Sequence, residues 1–356
     1  MTIKQTRKTP EEIKEEILLH LKRGPLSTKK LSDLLGSNWS TINSYLEELK
    51  DRGDVREIYS RENLKIYIRA DYPVFYGLPL DEDKLKESLF LLSKIIGRWK
   101  IVNGSTITKT PLQKIAVELI KNNSLNVPVV RFHYGKVLTT YMEPEKIQQI
   151  VKVYGVKKLN IVDKTIDEEI NKHTNIAWLE RKKQYESHSD MKLFLLSDYV
   201  SYSISKNKID EPGKILDLFH NFLLEIPTDE KYSLLFKKYH DFISVVNFIF
   251  NSDQFNNGSK EEREHYFKEI LNTFDSLWQT LTTEFFFNDI EFFIKQDFKE
   301  ILQFIKDSKL KTYYSEIDEK LSNLLDYKKT LTPKKIDLSE DEKGIIEILL
   351  EGANEE

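Results

Sequence analysis

The sequence predicts a mainly α-helical protein: a small N-terminal module of three helices and a β-hairpin over residues 1–72, then a large and mostly α-helical domain. Three observations predict it. Apolar residues recur at spacings of three and four through most of the chain, the period of an amphipathic helix. Strand-like alternation is clearest in one short stretch, at 55–69. The composition, 40% hydrophobic and 31% charged in 356 residues, suits packed cores in two or three domains and excludes general disorder.

The elements follow in chain order. Thr9-Pro10-Glu11-Glu12 opens the first helix with capping-box spacing and proline at the first helical position. Ile13, Ile17, Leu18 and Leu21 give it a buried face, and Gly24-Pro25 ends it. Ser27 caps a second, short helix with Leu31, Leu34 and Leu35 inward, and Gly36 breaks it. Asn38 caps a third, with Ile42, Tyr45, Leu46 and Leu49 inward, and Gly53 stops it. Two strands follow, 55–60 and 64–69. In the second, Leu64, Ile66 and Ile68 form the buried face and Lys65, Tyr67 and Arg69 the open one. A fragment ending near residue 75 is expected to fold alone.

Pro73 and Pro79 mark a linker at 73–80. Helices are expected at 81–99, 110–122, 144–154, 213–226, 230–250, 260–283, 284–308 and 310–327, all within a domain of residues 81–335. The rest, 336–356, reads as a short helix and tail. Residues 127–142 stay open between a hairpin around Gly135 and a helix started by Pro128. The aromatic run from Phe285 to Phe298 reads as a buried core helix, or else as one that faces a second chain or lines a ligand site.

Several classes are excluded. There is no cysteine, so disulfides and thiolate metal sites are absent, which fits a cytoplasmic protein. The first residues, MTIKQTRK, lack the apolar core of a signal peptide, and the apolar run near 242–250 is too short to span a bilayer. Glycine is scarce, 12 in all, and neither a P-loop, GxGxxG nor GxSxG occurs. The seven histidines sit in no metal-binding spacing. His188-Ser189-Asp190 reads as a polar turn, and Asp163, Asp167, Glu168 and Glu169 as a charged helix start. No cofactor, metal or catalysis is expected.

The motif Leu31 to Gly36, then Ser40-Thr41-Ile42, Tyr45-Leu46-Glu47-Glu48-Leu49 and Arg52-Gly53-Asp54-Val55 resembles winged helix-turn-helix transcriptional regulators of the broad MarR/ArsR type. The resemblance covers about residues 9–72. It departs from the family at Ser37, usually apolar, and in a recognition helix whose first basic residue is Lys50 and whose second half is acidic.

The resemblance implies that double-stranded DNA is the partner. It places Trp39, Ser40, Asn43 and Ser44 at the exposed front of the recognition helix. Asn43 can pair with adenine, Ser40 and Ser44 can donate to phosphate or a base edge, and Trp39 offers a plane to a thymine methyl. Lys29 and Lys30 would touch the backbone, with Arg61 and Lys65 reaching from the wing. Residues 1–72 carry 14 basic and 12 acidic side chains against 40 and 46 in 73–356, an asymmetry of the right sign but small. Trp39 has a second reading, as a plug over Ser37 in the small core. The four cations have one as ordinary surface. A homodimer held by the helical part, and a small-molecule or protein effector of it, complete the expectation. The alternative is a protein–protein interaction subunit of a larger assembly.

Overall fold

The computed structural model describes residues 8–61, 64–205, 211–294 and 296–331, and of Arg61 and Asp297 the backbone only. The expected C-terminal helix and tail at 336–356 lie outside the described residues. The architecture is mainly helical with a small antiparallel sheet. The chain divides into two compact units, one of residues 1–195 and 278–314, the other of 196–277 and 315–356. No helix among the described residues is long and apolar enough to cross a membrane.

The first unit opens with α1 (Pro10–Leu21), β1 (Leu26–Ser27), α2 (Thr28–Leu35), α3 (Trp39–Asp51), β2 (Val55–Arg61) and β3 (Leu64–Arg69). The caps act as the sequence suggests. Glu12 N–H donates to Thr9 Oγ1 at 3.3 Å while Thr9 N–H donates to Glu12 Oε2 at 2.7 Å, which satisfies two donors at the start of α1. The strands form an antiparallel sheet in the order β1-β3-β2, with a bulge between Glu57 and Tyr59.

This sheet is covered on both sides. Ile66, Tyr67 and Ile68 are consecutive and all buried, so β3 is not the half-buried strand its alternation predicts. Tyr67 and Val55 join Ile17, Leu21, Leu31, Ile42, Leu46 and Leu49 in the core under the three helices. Ile68 points the other way, into a larger core that also takes Ile58. The expected linker is part of that core. Tyr72, Val74, Leu78 and Leu80 are buried in it, and Tyr76 stacks on Phe287 at 5.4 Å between ring centres. Tyr76 adopts a positive φ of 55°, costly for a non-glycine, which the ring's packing offsets. The segment expected as a linker at 73–80 therefore packs inside the first unit.

Beyond it come α4 (Glu82–Asn103), α5 (Lys109–Asn122), β4 (Val129–Phe132), β5 (Gly135–Leu138), α6 (Pro144–Tyr154), α7 (Asp163–Ile170), α8 (Ala177–Ser187) and α9 (Lys192–Ser205), which runs on into the second unit. Residues 127–142 form the hairpin rather than the helix. Lys114 of α5 explains why: buried, it donates to the carbonyls of Tyr134 at 2.5 Å and Lys136 at 3.1 Å, and to Gln184 Oε1 of α8 at 2.7 Å. An ammonium taken from water needs such acceptors, and a hairpin turn presents its carbonyls to one.

Another buried polar cluster joins α7 to α8. His173 lies between Glu169, at 3.0 Å, and Glu180, both on buried side chains. Burial alone would raise the Glu180 carboxyl, but His173 and the Thr174 N–H outweigh it and hold the acid below its ordinary 4.5. A depressed folded-state value adds stability above about pH 4.5 that is lost as pH falls through it. Glu180→Gln is therefore expected to lower stability at neutral pH and to flatten the loss as pH falls below about 4.5. Denaturant midpoints across that range check this, and parallel curves for the two proteins would contradict it.

The second unit holds α10 (Pro212–Glu225), α11 (Ser233–Phe250), α12 (Asp253–Asn257), the start of α13 (Lys260–Ile290) and the end of α14 (Lys299–Thr330). Its core is aromatic: Phe222 stacks on Tyr239 at 4.9 Å, and Phe219 meets Phe242 at 5.0 Å and Phe274 at 5.5 Å. The helices expected at 260–283, 284–308 and 310–327 are instead two, broken once at 291–298. Phe285, Phe286, Phe287 and Ile290 are buried within the first unit, the core reading of that run.

Candidate nucleic-acid interface

Helices α2 and α3 are joined by a turn that polar groups fasten. Ser27 Oγ accepts from Lys30 N–H at 3.1 Å and starts α2. Gly36 ends it at φ 60°, a conformation that favours glycine. Ser37 N–H then donates to Ser32 O at 3.2 Å, and Ser32 Oγ donates back to Ser37 O at 2.5 Å. This pair does the work of the apolar residue that position 37 lacks. Asn38 Oδ1 accepts from Ser40 N–H at 3.1 Å and from Ser40 Oγ at 3.2 Å, which caps α3.

That geometry answers the question of Trp39. The indole is 44% exposed and takes no part in the small core, which Ile42, Leu46 and Leu49 fill from α3. The plug over Ser37 is not formed. Ser40 and Ser44 are exposed as well, although the Ser40 hydroxyl hydrogen is committed to Asn38. Lys29 and Lys30, at the start of α2, are exposed and make no ion pair among the described residues.

Two other expected site residues sit differently. Asn43 is only half exposed, and its Oδ1 is buried without a hydrogen-bond partner among the described residues. A bidentate pair with adenine needs that oxygen outward, so the amide must reorient to make one. Lys65 is drawn back by its own module: its Nζ lies 2.7 Å from Glu47 Oε1, which also accepts from Tyr67 OH at 2.8 Å. Those two donors, Lys65 first, hold the Glu47 carboxyl below its usual range. A lysine so engaged is a poor phosphate ligand. Arg61 ends β2, but its side chain lies outside the described residues.

The acidic half of α3 is tied up in the same way. Glu48 pairs with Lys14 of α1 at 2.6 Å, and Lys50 with Glu57 of β2 at 2.9 Å. Two of the three acids that made this helix look hostile to DNA are thus paired within the module, while Asp51 stays exposed at its end, away from the neutral front.

Sequence reasoning missed one cluster elsewhere. His188, taken as part of a polar turn, is buried, with Nε2 2.8 Å from Glu118 Oε1 and Nδ1 3.4 Å from Lys136 Nζ. No local signal marks it, since its partners lie 70 and 52 residues away. No group of three or more acidic or histidine side chains among the described residues is arranged to hold a metal ion. Comparison with protein-family models, with curated proteins and with solved structures returned no match.

Proposed function

We propose that residues 9–72 form a winged helix-turn-helix that binds double-stranded DNA, with α3 in the major groove and the β2–β3 hairpin as the wing. In this reading the chain is a transcriptional regulator and binds as a homodimer on two half-sites. One observation supports it above the rest. The capped front of α3 presents Trp39 and Ser44 to solvent, on a helix–turn–helix whose α2 offers the unpaired Lys29 and Lys30. With Lys65 held by Glu47, phosphate contacts fall mainly to α2.

A second reading has a specific observation behind it. Leu34 is 46% exposed on the same helix pair as Trp39, and an apolar pair with few free cations also suits a protein partner. Salt dependence separates the two. Roughly four to six phosphate contacts per copy predict a slope of about −4 to −5 for log affinity against log salt, nearly doubled in a dimer. Duplexes selected from random sequence, titrated at several salt concentrations, supply the measurement. A flat salt response would favour the protein partner.

Trp39→Ala gives a sharper check. Its exposed ring predicts a stability change within about 0.5 kcal/mol, and loss of one base contact predicts binding weaker by roughly 1–3 kcal/mol. A large fall in melting temperature with unchanged affinity would contradict both halves of this expectation.

A further inference from the structure

The first unit holds a cavity of about 620 Å³ lined by α5, the β4–β5 hairpin, the turn at 188–190 and the segment after α13. Its wall is apolar, from Val117, Ile120, Val129, Val130 and Phe293, with Phe292 87% exposed on the same lining. Its polar groups are unequal in number: Lys121, Arg131 and Lys136 against Asp190 and Asp289.

The three cations differ in how they are held. Arg131 is fixed. Its Nε and Nη2 donate to the two oxygens of Asp289 at 2.9 and 2.7 Å, and its backbone N–H donates to the same carboxylate at 2.7 Å. Lys136 has a single carboxylate, Asp190 at 2.9 Å, with His188 Nδ1 at 3.4 Å. Lys121 is exposed and makes no ion pair among the described residues. Glu118 is taken by His188 behind the lining, so Lys121 is the lining cation that has no carboxylate of its own among the described residues.

We propose that this cavity binds a small organic monoanion. An apolar body lies against Val129, Phe292 and Phe293, over the buried Ile120, and a carboxylate reaches Lys121 and shares Lys136 with Asp190. One cation without a carboxylate of its own suits a monoanion better than a phosphate dianion. A cation would meet Lys121 unopposed, and a neutral apolar molecule would leave that ammonium unanswered beside it. Pockets of this kind gain affinity from the wall and orientation from a few placed polar groups. The Asp289 clamp and the buried Lys114 beneath the hairpin keep the polar groups in place before the ligand arrives. The site goes beyond DNA binding, and its occupancy does not depend on whether α3 touches DNA.

Calorimetric titration of the full chain with octanoate, with octylamine and octanol as matched controls, tests it. Octanoate is expected to bind at one site per chain, and both controls more weakly. Lys121→Glu, on an exposed side chain that leaves the fold intact, is expected to weaken octanoate binding by roughly tenfold or more, and Lys121→Arg to preserve it. Phe292→Ser, at a side chain 87% exposed, is expected to lose severalfold. The proposal is overturned if octanoate fails to bind at about 10 mM, well above typical pocket affinities. It is overturned as well if octylamine or octanol binds as tightly, or if Lys121→Glu leaves octanoate affinity unchanged.

Discussion

A fragment of residues 1–75 is expected to show no cooperative unfolding transition. The intact chain buries Ile68 completely, with Ile58 and Tyr72 packed beside it, on the sheet face turned away from α1–α3. Truncation returns that face to water. Exposing the buried Ile68 and Tyr72 costs roughly 1.5–3 kcal/mol each, with a smaller loss from the half-buried Ile58, and together these approach the stability of a small domain, on the order of 5 kcal/mol. The cut also frees Gly24 from Pro79 and Lys22 from the Val153 carbonyl, 2.8 Å away. A thermal melt followed by circular dichroism checks this. A sharp sigmoidal melt would show that the three-helix core of Ile17, Leu31, Ile42 and Tyr67 suffices alone.

Gly135→Ala is expected to destabilise the protein by about 4–5 kcal/mol, through backbone strain and loss of the buried lysine's acceptors together. Gly135 has φ +90°, where an added Cβ is disfavoured whatever the room around it. There is no room either: that atom would stand 2.5 Å from Gln184 Oε1, 2.8 Å from the Tyr185 ring and 3.1 Å from Lys114 Nζ. The turn cannot shift outward without taking the carbonyls of Tyr134 and Lys136 from Lys114. Gly36→Ala is the control. Gly36 has a similar positive φ of 60° but nothing within 4 Å of the new atom, so strain alone remains, about 1–2 kcal/mol. Denaturant unfolding of the two variants separates the contributions, and equal losses would mean that the Lys114 cage contributes little.

Local chemistry was the legible part of this sequence. The caps at Thr9, Ser27 and Asn38 and the ends at Gly36 and Gly53 could be read because each depends on a few adjacent residues. Helix α6 was legible for the same reason, opened by Pro144 and closed by Gly155. What the sequence hid depends on distance. The alternation of β3 marks one apolar face but not which of two cores receives it. Ile68 faces the larger one because residues 72–80 and 286–305 supply a second apolar surface. Lys65 looked like a wing cation because Glu47, 18 positions earlier, is brought alongside only by the fold. The hairpin at 129–138 was undecided for want of Lys114 and Gln184, which sit in other elements. Helices α8, α9 and the short α12 went unpredicted, and α8 starts after Ile176 with no side-chain cap to mark it.

In the proposed DNA-binding reading, the doubly covered sheet has a consequence for how α3 would meet a half-site. A reading head on a flexible tether can search for its half-site, and its spacing tolerance is set by the tether. Here β3 is held between the three-helix core and the larger one, and only Ala70 and Asp71 are exposed before the chain enters the mostly buried segment 72–80. The pointing direction of α3 is therefore a fixed property of the first unit. In a dimer, the distance between the two reading helices would be set by the rigid bodies that carry them. One extra base pair between half-sites moves the second by about 3.4 Å and turns it by roughly a tenth of a helical turn. With no slack in the protein, the DNA itself would have to bend or twist to absorb that change.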